Sequence, residues 1–179
     1  MAHYLLTSEQ FIKSNTPISS NIAGKYILSA LLDAQEVRLK GIVGSAMLES
    51  LKAMCKKGTI EDNELYKGLL DRVQMALAWM VVAKLARDLS YKLTNKGVVT
   101  TSDEGVANAT FEEVIVRGAD AQASADHYVA DVQRYLMSNR SQFPELADND
   151  CWRIKSNLTS SASCALWLGG LRGKKMSVR

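Results

Sequence analysis

Apolar residues recur along this chain at intervals of three and four, the spacing of one face of an α-helix, over most of its length. Thr7 and Gln10 have the spacing of a capping box, with Leu6 and Phe11 placed as a hydrophobic staple, so a short helix is predicted to start there. After Pro17, the residues Ile22, Tyr26, Ile27, Ala30, Leu31, Ala34 and Val37 trace a helical stripe that fades at Lys40-Gly41. A second stripe follows Gly44 through Met47, Leu48, Leu51, Met54 and Cys55 and ends at Lys56-Lys57-Gly58. Basic residues in a last turn complement its free carbonyls, and a glycine releases the chain into a left-handed turn. Asp62 or Asn63 can cap the next helix, which the pattern carries to about Asn95. Within it "VQMALAWMVVAKLA" is apolar on nearly every side, as befits a helix enclosed by others. Trp79, Met80, Val82 and Leu85 are therefore expected in the centre of the core, with Lys96-Gly97 closing the helix.

The pattern then changes. "VVTTSDEGVANATFEEVIVRG" is rich in β-branched residues, with turn formers at Ser102, Asp103 and Gly105, and predicts an extended or hairpin-like excursion over residues 97–118. Helix returns at about Ala119, with Ala121, Ala125, Tyr128, Val129, Val132 and Leu136 on one stripe. Asp120 and Asp126 lie early in it and Arg134 and Arg140 late, as the helix dipole favours. Phe143-Pro144 stops it. The predicted fold is mainly α: a helical bundle with a long buried central helix, a β-hairpin-like excursion and an extended C-terminal arm. Residues 1–145 form the helical domain and residues 146–179 the arm.

Composition adds little until it is divided. Of the 179 residues 47% are hydrophobic and 23% charged, ordinary for a globular chain with ample length for a core. The net charge is +3, but from Cys151 onward there are six bases and no acid, so the first 150 residues carry −3. The body is mildly acidic and the tail basic. Cys55, Cys151 and Cys164 share no metal-ligand spacing, and nothing at the N-terminus resembles a signal peptide, which predicts free thiols in a reducing compartment. The longest apolar run, near Trp79, is interrupted by Lys84 and Arg87 and is too short to span a membrane.

Candidate chemistry is sparse. His3 and His127 are the two histidines, one at the extreme N-terminus and one within a predicted helix. No nucleophile elbow accompanies them, and the adjacent pairs Asp103-Glu104 and Glu112-Glu113 point their carboxylates different ways in an extended segment. "GGLRGKK" has three residues between its first possible glycine and Gly-Lys where a phosphate loop needs four, and Lys175 stands where the hydroxyl belongs. No catalytic residue, metal site or cofactor is expected. The tail instead offers Leu166, Trp167, Leu168 and Leu171 as an apolar anchor, followed by Arg172, Lys174 and Lys175. Trp and Arg are favoured at interface centres, which supports a docking arm. A solvated end, or a salt-sensitive grip on nucleic acid, are the alternative readings of the same bases.

Three stretches carry a resemblance. "LLDAQEVRLKGIVGSAMLESL", "LTNKGVVTTSD" and "IKSNLTSSASCALWLGGLRGK" follow the order of features in head–tail connector (adaptor, or head-completion) proteins of tailed bacteriophages. The resemblance is strongest to those of phages and prophages of Bacteroides-type gut bacteria, and covers most of the chain after about Ser20. It implies a helical subunit of a ring, usually dodecameric, beneath the portal of the virion. Such a ring binds the portal protein above, offers a surface to a tail or stopper protein below, and extends the DNA channel without chemistry. It is made in the bacterial host cytoplasm and sits at the virion neck. A C-terminal arm in such proteins commonly reaches a neighbouring component, which would occupy Leu166, Trp167, Leu168, Leu171, Arg172, Lys174 and Lys175. The mildly acidic body also suits a channel through which DNA slides. The competing reading is a small helical DNA-binding or regulatory protein with a basic C-terminal tail; a helical enzyme is a third, unsupported by any acid, histidine or cysteine cluster.

Overall fold

The computed structural model describes residues 4–88, 91–94, 97–100 and 111–146. Among these the chain is mainly helical. Helix α1 is Glu9–Asn15, α2 is Gly24–Asp33, and a π-helical turn over Ala34–Leu39 runs straight into α3, Lys40–Val43. Helix α4 is Ser45–Lys57, and α5 is Glu64–Asp88. Two short strands, β1 Tyr91–Thr94 and β2 Gly97–Thr100, precede α6, Phe111–Ser138, and short 3-10 turns at Arg140–Gln142 and Pro144–Leu146 close the body.

Several boundaries follow local chemistry. Asn63 caps α5, its side-chain oxygen accepting from the N–H groups of Leu65 (3.1 Å) and Tyr66 (3.4 Å). Gly58 ends α4 in the left-handed conformation (φ 71°), its N–H donating to the Cys55 carbonyl while Thr59 N–H reaches back to Met54. Gly44, at φ 88°, makes the corner between α3 and α4. The first helix is capped one residue later than the sequence suggests. Ser8, not Thr7, accepts the Phe11 N–H at 3.1 Å, and Thr7 is turned inward, its hydroxyl buried without a hydrogen-bond partner among the described residues.

The core forms where α1, α2, the π-turn and α6 surround α5. Ile27, Leu31, Leu39, Met47, Leu48 and Leu51 pack with Leu69, Leu77 and Met80 of α5 and Leu136 of α6. Ten residues of α5 are buried, over well more than half of its circumference, so the long central helix expected from "VQMALAWMVVAKLA" is present. Met80 and Leu85 are buried as expected, but Trp79 and Val82 are only half-buried, since they lie on a part of α5 that its neighbours leave partly open.

α5 and α6 run antiparallel. Tyr135 of α6 donates its hydroxyl to the Leu65 carbonyl at 3.1 Å, Asp131 meets Arg72 at 3.2 Å, and Gly118 packs beside Arg87. The Arg72 guanidinium also lies 4.2 Å from the centre of the Tyr135 ring, a cation–π contact that fixes the register further.

Two expectations about the connection between these helices are corrected. α5 ends at Asp88 rather than near Asn95, since residues Tyr91–Thr94 are already in strand β1. The predicted excursion over 97–118 is not extended at its far end: residues from Phe111 onward are already α-helix, and residues 101–110 lie outside the described residues. Val and Ile disfavour helix by well under 1 kcal/mol each, and Glu112 and Glu113 at the positive end of the helix offset part of that. The strands that do form pair antiparallel with Tyr91 opposite Thr100 and Thr94 opposite Gly97, so they begin six residues before the predicted excursion. Leu146, placed in the arm by its sequence context, is buried in the body. The rest of the expected arm, 147–179, lies outside the described residues.

Candidate functional site

The π-turn is where the sequence pattern fails most informatively. Six consecutive residues with one extra residue per turn rotate the helix surface relative to a regular α-helix. Val37, on the predicted apolar stripe, is thereby 65% exposed, while the polar Gln35 is fully buried. Gln35 is satisfied there. Its side-chain oxygen accepts the Leu6 N–H and its amide donates to the Tyr4 carbonyl, both at 2.9 Å. Gln74 of α5 donates to the Leu6 carbonyl at 2.8 Å. Two glutamines thus hold the N-terminal segment against the core by its backbone. Beside them Lys52 bridges Glu36 (2.8 Å) and Glu49 (3.0 Å). Burial works against its charge, but the two carboxylates outweigh that and hold the ammonium above the usual lysine range.

The C-terminal end of the body is anchored by Tyr66. Its ring meets Phe143 edge-on at 5.2 Å, and its hydroxyl donates to the Glu145 carboxylate, 2.9 Å from each oxygen. Burial first, then the carboxylate, pushes the phenol up to about 12. A phenol held neutral in this way is a tether for the Pro144–Leu146 turn. Next to it lies an open groove of about 610 Å³ lined by Met137, Ser138, Arg140, Ser141, Phe143 and Pro144.

No group of three or more histidine, cysteine or acidic side chains among the described residues is arranged to hold a metal. His127 is exposed on α6 and lies edge-on to Tyr128, with ring centres 5.6 Å apart. Cys55 is a free, part-buried thiol whose pKa burial pushes up, which disfavours the reactive thiolate. No helix among the described residues is long and apolar enough to cross a membrane.

What the surface does offer is contact area. The exposed large apolar side chains include Ile115 (51%), Val116 (58%) and Met137 (61%), at the two ends of α6. Since α5 stops one residue beyond Arg87, the Gly118 partner, the first two turns of α6 run on past it by roughly 10 Å. Ile115 and Val116 sit on that overhang. The sequence pattern does not reveal them, because it assigns residues 111–118 to an extended segment, in which helical faces have no meaning. The predicted contact residues Leu166, Trp167, Leu168, Leu171, Arg172, Lys174 and Lys175 all lie outside the described residues, as does His3.

These features define a mainly helical protein built on an antiparallel pair of long helices, with exposed apolar residues at both ends of α6. The chain belongs to the DUF6712 family, a family of unknown function, whose pattern matches residues 39–156. That span takes in α4, α5 and α6 and leaves out α1 and α2. No curated protein and no solved structure matches the chain.

Proposed function

We propose that the protein is a structural virion component of a tailed bacteriophage, a subunit of a ring that joins head to tail beneath the portal. The observation that carries this reading is the placement of exposed apolar residues on α6. A 28-residue helix is about 42 Å long, and it presents Ile115 and Val116 at one end and Met137, beside the Pro144 groove, at the other. A connector needs contacts at two opposite ends, one toward the portal protein and one toward a tail or stopper protein. The resemblance of the three sequence stretches to such connectors supports the same assignment, with a dodecamer as the expected ring and DNA passing transiently through its lumen. The protein then acts by geometry, as a non-enzymatic collar at the virion neck.

In this reading the C-terminal segment is the docking arm, anchored by Trp167 with Leu166, Leu168 and Leu171, and Arg172, Lys174 and Lys175 assist its approach. The six bases and absence of acids after residue 150 favour one alternative, a DNA-binding or regulatory protein whose tail grips phosphate. A head–tail joining assay separates the two. The connector reading expects Trp167→Ala to impair joining severely, because a desolvated aromatic anchor is worth about 2 kcal/mol or more at each of many symmetric sites. Reversing Lys174 and Lys175 to Glu should act mainly through association rate and salt dependence. Normal joining by Trp167→Ala, with DNA binding lost on reversal of the lysines, would overturn the connector reading in favour of the alternative.

A further inference from the structure

The solvent face of α6 carries a pattern that its buried face does not explain. Val116, Asp120, Ala123, His127, Ala130, Arg134 and Met137 follow one another at intervals of four and three residues, and every one of them is exposed. This is the heptad spacing of a helix that packs along its length on another helix. The line lies opposite the one that faces α5, which contains Gly118, Ala121, Ala125, Val132 and Leu136. It is therefore a second, exposed line, and nothing within the described residues covers it.

We infer that this face of α6 packs against the same face of a second copy of the chain, with the two α6 helices antiparallel and related by a two-fold axis near Asp126 and His127. The composition of the face selects that occupant. Turned end over end about the midpoint between Asp126 and His127, the face matches itself. Val116 falls opposite Met137 of the partner subunit, Ala123 opposite Ala130 of the partner subunit, and Asp126 opposite His127 of the partner subunit. Asp120 then lies beside Arg134 of the partner subunit. The charges are divided in the same sense. Glu112, Asp120 and Asp126 are exposed in the first part of the helix, and Arg134 and Arg140 at or just beyond its end. Arg117 lies a quarter-turn off the line. A parallel pairing would set acid against acid and base against base, whereas the antiparallel one sets each against its opposite.

The middle of the seam is small. Alanines at 123 and 130 allow two helix axes to approach to about 8 Å, the close end of the usual range. Val116 and Met137, two of the most exposed large apolar side chains of the described body, are covered at the two ends. Arg134 already lies 3.3 Å from Asp131 in its own helix but remains well exposed, so it can turn to Asp120 of the partner subunit. The contact is isologous and closed, leaving no free copy of the same surface from which a ring could grow. It would hold the free protein as a pair and shield the ends of α6 until another partner displaces it. The pairing does not rest on the virion reading.

The test is the mass of the full-length chain in solution, measured by sedimentation equilibrium over a concentration series. The expected result is a monomer–dimer equilibrium. Asp120→Arg, facing Arg134 of the partner subunit, and Arg134→Asp, facing Asp120 of the partner subunit, should each weaken it about tenfold, because each places like charges together at two symmetric sites. The double variant Asp120→Arg with Arg134→Asp should recover the wild-type association. Ala123→Glu should weaken it independently by wedging a long charged side chain into the seam. All three positions are exposed, and circular dichroism checks that each variant keeps its helix content. A chain that stays monomeric throughout, a dimer indifferent to the charge reversals, or a double variant that fails to recover would overturn the inference. Head–tail joining is a separate measurement, so failure of the pairing and failure of the connector reading are told apart.

Discussion

Tyr66 and Gln35 show how single polar groups fasten the two ends of the described body. The folded-state value of the Tyr66 phenol, about 12, lies above the ordinary 10.0, so the fold prefers its neutral form. That contribution to stability is whole below pH 10 and is lost as the pH rises through about 12. Tyr66→Phe keeps the ring against Phe143 and leaves Glu145, which is partly exposed, free to take up water. The expected cost is therefore about 1 kcal/mol at neutral pH. Between pH 10 and 12 the variant should lose less stability than the wild type, as urea titrations at stepped pH would show. Gln35 carries a larger penalty. Gln35→Leu fits the space but strands the buried Leu6 N–H and removes the donor to the Tyr4 carbonyl, at a cost of about 2 kcal/mol. Faster amide exchange at Leu6 would mark the loss locally.

At the scale of elements, two helical glycines distinguish propensity from packing. A methyl group on Gly68 of α5 would come within 2.8 Å of the Tyr135 hydroxyl, the group that donates to the Leu65 carbonyl. A methyl group on Gly118 of α6 would meet the Arg87 side chain at 3.7 Å, an ordinary contact. Alanine is favoured over glycine within a helix by about 1 kcal/mol. Gly118→Ala should collect that gain and raise the melting temperature. Gly68→Ala should forfeit it, because the α5–α6 interface must open or the Tyr135 hydrogen bond must break, and its melting temperature should fall. Equal shifts of the same sign would mean that the register assigned to the helix pair is wrong.

At the scale of the whole molecule, the described core is complete by Leu146, which is itself buried and follows the turn that Tyr66 tethers. Deleting residues 160–179 should leave helix content and melting temperature as they are, measurable by circular dichroism on the shortened chain. The connector reading adds that particles carrying this deletion fail to join heads to tails. A large fall in melting temperature would instead make the C-terminal segment part of the fold. Chain order shapes this outcome. The largest helix–helix interface among the described residues is made between α5 and α6, both of which precede residue 160 in the chain.

Much of the helical plan can be read from the residues alone. The stripes ending at Gly58, the Asn63 cap and the all-round apolar run of α5 are local signals, since each depends on spacing or on conformational preference within a few residues. Three features were decided by tertiary structure. The π-turn exchanged Val37 for Gln35 in the interior, because backbone groups of Tyr4 and Leu6, some thirty residues away in sequence, required a partner there. Residues 111–118 became helix despite their β-branched side chains, because packing of Gly118 beside Arg87 and the continuity of α6 outweigh small intrinsic preferences. The contact faces of α6 could be drawn only after that, since a helical face exists only once the helix's limits are known. Local preferences of tenths of a kcal/mol per residue placed most of the helices. Buried hydrogen bonds and close packing, worth more at each site, decided which surfaces point inward and which remain exposed.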